Sequence, residues 1–122
     1  SFELEKYRYN YLGDEKVNGL DSFMVEQFPV DEKSGYTKRI VWLDKAEYRV
    51  QKIDFYDRKD SLLKTLTYND YKQYLNKYWR ADSALMVNHQ NGKSTELQWN
   101  NYAFKTGLID SDFNRNTLKR AR

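Results

Sequence analysis

Polar and apolar residues alternate with a period of two along almost the whole of this 122-residue chain. In "YRVQKIDFYDRKDSLLKTLTYNDY", residues 48–71, Ile53 and Phe55 point one way while Lys52, Asp54 and Tyr56 point the other. Successive side chains of a strand project from opposite faces, so this pattern suits a sheet with one apolar side and not an amphipathic helix. Strands are expected over residues 5–13, 21–29, 36–44, 48–57, 62–73, 78–89 and 93–104. Turn signals separate most of them: "VNG" at 17–19, "EKSG" at 32–35, "DKAE" at 44–47, "DRKD" at 57–60 and "QNGK" at 90–93. Connections this short join antiparallel neighbours, because parallel pairing needs long crossovers. The expected fold is mainly β, an antiparallel meander of seven strands.

The length allows one domain and one core. Hydrophobic residues make up 39% and aromatics 16%, including eleven Tyr, whose rings pack on half-buried sheets while their hydroxyls stay wet. One Pro and five Gly leave no room for a linker. The net charge of +3 comes from 21 basic and 18 acidic residues whose signs alternate along most of the chain. Only Lys119, Arg120 and Arg122 form a dense basic cluster. Such a distribution describes a solvated surface, not a stripe that tracks phosphates, so no nucleic-acid partner is expected. The absence of Cys excludes disulfides, zinc–thiolate sites and thiol catalysis. No apolar run reaches membrane-spanning length. The chain opens on "SFELEKYRYN", without Met and already alternating, as a processed product or part of a longer protein would.

The last hairpin can be read in register. Asn91-Gly92 is a signal for a two-residue type I′ turn, which pairs Gln90 with Lys93. Counting outwards sets Met86 opposite Leu97 and Ala84 opposite Trp99, and these four residues form one apolar patch. Glu96, Gln98 and Asn100 face the other way. The stretch "LIDSDFNRNTLKRAR" is the one helical candidate, with Asp110 or Ser111 as its cap and Phe113 and Thr117 or Leu118 folding back onto the sheet. So short a helix cannot cover seven strands.

Catalytic chemistry is sparse. His89 is the only histidine, and it stands beside the Asn-Gly turn, where a solvated loop side chain is expected. Asp44, Asp54, Asp57 and Asp60 invite a paired-carboxylate or calcium reading, but three of them lie in or beside turns, where Asp serves the backbone. "NGKST" at 91–95 imitates the end of a phosphate loop, yet Val87 stands where the motif needs its first Gly. The aromatics interleaved with Lys and Arg in "YLNKYWRA", residues 74–81, read as cross-strand packing on a wet face more readily than as base-stacking platforms. No enzymatic activity, metal or cofactor is expected.

From "VWLDK" at 41–45 onward the chain resembles the C-terminal part of a LolA-like outer membrane lipoprotein-sorting protein. The resemblance continues through "FYD" at 55–57, "LLKTLTYNDY" at 62–71, Trp79, "ALMVNHQNGKST" at 84–95 and "KTGLIDSDF" at 105–113, and "VNGLDSFMVEQFP" at 17–29 fits the preceding strands. It covers roughly Tyr9 to Leu118 and is carried by the order and spacing of these stretches. It implies a strongly curved antiparallel sheet, an unclosed half-barrel whose concave apolar face is covered by helices. It also implies a periplasmic carrier of acyl chains that is not an enzyme and uses no cofactor. The chain departs from the family in two respects. The family's N-terminal helices and strands are expected to be lacking from these 122 residues, and Arg39 stands where the family pattern is usually apolar.

The expectation is thus a single LolA-like β domain, residues 1–122, of the bacterial envelope. Its expected ligand-binding face comprises Phe23, Val25, Val41, Leu43, Ile53, Phe55, Leu66, Tyr68, Ala84, Met86, Leu97 and Trp99. The "DRKD" turn admits a two-residue form or a bulged three-residue form, and a slip by one would exchange Leu66 and Tyr68 for Leu63 and Thr65. The expected partners are lipid or lipoprotein acyl chains, with an inner-membrane transporter or outer-membrane acceptor for delivery. The rival reading is a protein-interaction module that docks an envelope transporter and holds no lipid. With so little helix to cover the apolar face, these 122 residues are expected to self-associate.

Overall fold

The computed structural model describes residues 7–31 and 33–99. Seven strands follow one another as an antiparallel meander: β1 (Tyr7–Val17), β2 (Leu20–Pro29), β3 (Lys38–Asp44), β4 (Val50–Tyr56), β5 (Leu62–Tyr74), β6 (Tyr78–Asn88) and β7 (Ser94–Gln98). Among the described residues each pairs only with its neighbours in sequence, so β1 and β7 are the two edges of this unclosed, curved sheet. The expected seven strands are all present, with β1 running four residues further than alternation alone indicated. The expected C-terminal helix and residues 100–104 of the last strand lie outside the described residues.

Bulges bend the sheet. The register shifts between Tyr11 and Gly13 on β1, between Trp42 and Leu43 where β3 meets β4, and between Phe55 and Tyr56 where β4 meets β5. Each inserts an extra residue on one strand, which bends it and adds right-handed twist. The "DRKD" turn itself takes its three-residue form, with the Asp57 N–H donating to the Ser61 carbonyl (2.9 Å) and Asp60 left-handed at φ 63°. The bulge at Leu63, inside β5, then restores the parity that this turn shifts, so Leu66 stands opposite Ile53 and Met86 and shares the apolar face with Tyr68.

A type I′ turn does occur, but in the first hairpin. Asn18 and Gly19 have φ of 53° and 77°, and Val17 pairs with Leu20. Both central residues of this turn must be left-handed, which Asn and Gly tolerate best. At the last hairpin only Gly92 is left-handed, at 74°. The loop there closes over four residues: the Asn88 N–H donates to the Lys93 carbonyl (2.8 Å) and the Gly92 N–H to the Asn88 carbonyl (2.9 Å). The Asn88 side-chain oxygen also accepts the N–H groups of Gln90 (2.9 Å) and Asn91 (3.1 Å), an Asx arrangement that outweighs the tighter turn. The expected pairs are therefore corrected by two residues: Ala84 faces Leu97, and Met86 faces Thr95. An even slip leaves every side chain on its original face.

The core lies on one side of the sheet. Val41 and Ala84 are fully buried there, and Ile53 and Leu66 nearly so. On the opposite face Trp42 is buried beneath Lys52, whose ammonium sits 4.2 Å from the ring centre. The Trp42 indole N–H donates to Glu15 (2.9 Å), which satisfies its polar edge.

Candidate functional site: the concave face

Cross-strand register builds this face in rows. The central row runs Tyr11, Val25, Val41, Ile53, Leu66, Met86 and Thr95, one residue from each strand. Beside it on one side stand Phe23, Leu43 and Val50, continued by Tyr68, Ala84 and Leu97. On the other side runs a more polar row: Gln27, Arg39, Phe55, Lys64 and Asn88. Ten of the twelve expected site residues belong to the packed cluster, and the register puts Phe23 and Val25 on the same side.

Phe23 stacks on Tyr48 with ring centres 6.2 Å apart, closing one end of the face. Arg39 donates from Nε to the side-chain oxygen of Gln27 (2.5 Å), and Gln27 is buried. The departure from an apolar pattern at Arg39 is thus built into the fold with a buried partner. Burial pushes the Tyr68 phenol above its ordinary value of 10.0, with the Arg39 charge opposing that rise.

A cleft of about 260 Å³ opens at the far end, lined by Val50, Tyr68, Tyr71, Trp79, Arg80, Ala81 and Trp99. Two of these, Tyr68 and Trp99, were expected from the sequence. Strict alternation puts Tyr71 and Tyr68 on opposite faces, yet both line the cleft. Between them Asp70 adopts φ 58°, and the Asp70–Asp82 position drops out of an otherwise continuous ladder. This local break lets Tyr71 and Ala81 join the cleft. The Tyr71 hydroxyl donates to the Val50 carbonyl (2.5 Å) and ties β5 to β4.

Trp79 is likewise a correction. It does not sit on a wet face of generic cross-strand aromatics but forms a cleft wall, with the Arg49 guanidinium 4.4 Å from its ring centre and 5.4 Å from that of Tyr71. Arg49 is held in turn by Asp44, Nε to Oδ2 at 2.8 Å. The basic–aromatic composition of residues 74–81 was the available signal; its direction was not legible.

The remaining polar candidates serve the backbone or the surface. Asp44 accepts the Glu47 N–H (2.7 Å) and Asp57 those of Lys59 and Ser61 (2.9 and 3.0 Å). Asp54 accepts the Thr65 hydroxyl (2.6 Å), and exposed His89 lies 2.7 Å from the same hydroxyl.

An unclosed, curved antiparallel sheet with its apolar core on one side has the LolA-like fold. A solved domain described as that of an outer membrane lipoprotein-sorting protein, from Vibrio parahaemolyticus, is 63% identical and superposes with a TM-score of 0.84 over 98% of this chain and 51% of that one. A DUF1329 family protein from Desulfovibrio piger is 26% identical, with a TM-score of 0.80 over 94% and 48% of the two chains. A LolA superfamily protein from Nitrosomonas europaea, at 22% identity and a TM-score of 0.67 over 87% and 50%, shares the fold. The chain spans about half the length of each of these structures. No curated protein sequence matches it significantly. The chain belongs to the family whose model, described as "Uncharacterized protein", matches residues 1–120, and its structural neighbours are lipoprotein-sorting and LolA superfamily domains.

Proposed function

We propose that this domain is a periplasmic carrier that holds lipid or lipoprotein acyl chains on its concave face and performs no catalysis. The observation that carries the reading is the unbroken apolar row from Val25 through Val41, Ile53 and Leu66 to Met86, which leads beside Tyr68 into the cleft at Trp99. The 63% identity to the Vibrio lipoprotein-sorting domain supports the same reading and, with it, the periplasmic location. An acyl chain of about fourteen carbons gains on the order of 11 kcal/mol at ~0.8 kcal/mol per buried methylene. Association costs of roughly 4–15 kcal/mol reduce this to a reversible affinity, as delivery to an acceptor requires.

Trp79 and Trp99 both line the cleft, so binding can be followed through their emission. Adding a fatty acid or lipopeptide is expected to shift tryptophan emission to the blue, and Leu97→Asp to abolish the shift while the sheet's circular dichroism persists. Unchanged emission in the wild type would end the carrier reading. The alternative would then lead: a module that docks an envelope transporter, for which the exposed apolar residues of the β1 edge, Tyr11 and Leu12, at 62% and 43% exposure, are the natural contact.

A further inference from the structure

We propose that one rim of the sheet docks on a lipid bilayer with zwitterionic headgroups, through three hairpin tips that each carry an exposed apolar side chain. In a meander alternate turns lie at the same end, so the β1–β2, β3–β4 and β5–β6 turns share this rim. Leu20 stands exposed at the first, Tyr48 at the second (68% exposed) and Leu75 at the third (49%). At the opposite end the β4–β5 and β6–β7 tips are polar, with Arg58, Lys59 and Asp60 on one and Gln90, Asn91 and Lys93 on the other. The inference goes beyond the carrier reading and is tested without a cargo.

Two of the apolar tips are held against the preference of the backbone. Tyr48 and Leu75 both have φ of 55°, the left-handed region that bulky side chains avoid and that Asn or Gly occupies at little cost. The first tip has the residues such a turn favours, Asn18 and Gly19. A large apolar side chain that is both strained and turned to water costs stability twice, and contact with an apolar phase offsets it. Tyrosine and leucine on projecting turns suit the boundary between headgroups and acyl chains, where a ring packs and its hydroxyl stays wet.

Charge selects the kind of surface. Lys16 pairs with Asp21 (3.8 Å), Lys45 with Asp14 (2.6 Å), Arg49 with Asp44 and Lys72 with Asp82 (2.8 Å). Glu47 on the second tip offsets Lys77 on the third. A rim balanced in this way gains little from an anionic surface and matches headgroups that carry both signs. The aromatic cleft lies at the same rim, since Val50 closely follows Tyr48 and Trp79 closely follows Leu75. Docking there brings the cleft against the bilayer.

The test is co-sedimentation of the full chain with sucrose-loaded phosphatidylcholine vesicles, with and without added phosphatidylglycerol. The chain is expected to partition onto both alike and to stay bound as salt is raised. Leu75→Asn is expected to weaken partition about tenfold and Tyr48→Asn about fivefold, the scale of losing a partly buried large side chain. Asn fits left-handed backbone, so Leu75→Asn should raise the urea midpoint while it lowers binding, which separates docking from a structural role. Val30→Ser removes an exposed apolar residue (54%) from the opposite end and should leave partition unchanged. Failure of the wild type to bind either vesicle would overturn the proposal and leave the tips to a protein partner. So would partition unaltered by Leu75→Asn and Tyr48→Asn together, an equal loss in Val30→Ser, or binding that needs phosphatidylglycerol and disappears with salt. The carrier reading stands or falls separately, on tryptophan emission with a fatty acid.

Discussion

Asp44 and Arg49 form a buried ion pair at the end of the β3–β4 hairpin, Oδ2 to Nε at 2.8 Å, and through it the guanidinium is held against Trp79. Burial would raise the Asp44 pKa. The hydrogen bonds from Arg49, the Glu47 N–H and Gln51 outweigh burial and hold the carboxyl below its ordinary value of 3.8. A carboxylate with a depressed folded-state pKa stabilises the fold fully above its unfolded value, and that contribution is lost as pH falls through the lower folded value. Urea midpoints are therefore expected to fall as the pH is taken down through 4 toward 2, and to fall less in Asp44→Asn.

Removing the Asp44 carboxylate also leaves the half-buried Arg49 without its partner. Asp44→Ala is expected to cost about 3 kcal/mol, since breaking one side of a buried pair strands the other charge. Chemical denaturation at pH 7 measures it. A loss below about 0.5 kcal/mol would rank the pair with exposed surface bridges.

The two faces of the sheet predict different sensitivities. Ile53→Ala, in the centre of the concave row and 6% exposed, is expected to cost roughly 2–5 kcal/mol. Leu85→Ala, on the opposite face and 39% exposed, should change stability by no more than about 0.5 kcal/mol. Comparable losses from the two substitutions would contradict the one-sided core.

The hairpins can be told apart by mutation. Gly19→Ala forces a side chain into left-handed backbone and should cost about 1–2 kcal/mol. Asn88→Ala deprives two loop N–H groups of their acceptor and should cost about 1 kcal/mol. If Asn91→Ala proved the more damaging of the two Asn substitutions, the last loop would be the two-residue turn after all.

Self-association is expected of the 122-residue chain. Phe55, Met86 and Leu97 are only half-buried on the concave face, and β1 and β7 are unpaired edges among the described residues. Sedimentation velocity over a tenfold concentration range should show a dimer or larger species. A monomer that binds no hydrophobic dye would mean that the face is already covered.

Alternation by itself determined the seven strands, their order and which apolar residues within a strand share a side of the sheet, except where β5 and β6 break at Asp70. The reason is that a period of two is a local property: Ile53 and Phe55 share a face wherever β4 lies, and even the misread last hairpin slipped by two and kept its parity. Tertiary structure decided what a period cannot encode. The Asn88 side chain, by capping its own loop, chose between two turns that the Asn-Gly dipeptide allows equally. The left-handed backbone at Asp70 broke alternation and brought Tyr71 and Ala81 into the cleft beside Tyr68. Arg49 reached its stack on Trp79 across thirty positions of sequence, because a curved sheet draws the ends of non-adjacent strands together. Such contacts depend on bulges and single backbone angles, each about as favourable in several neighbouring places, and only the assembled sheet selects among them.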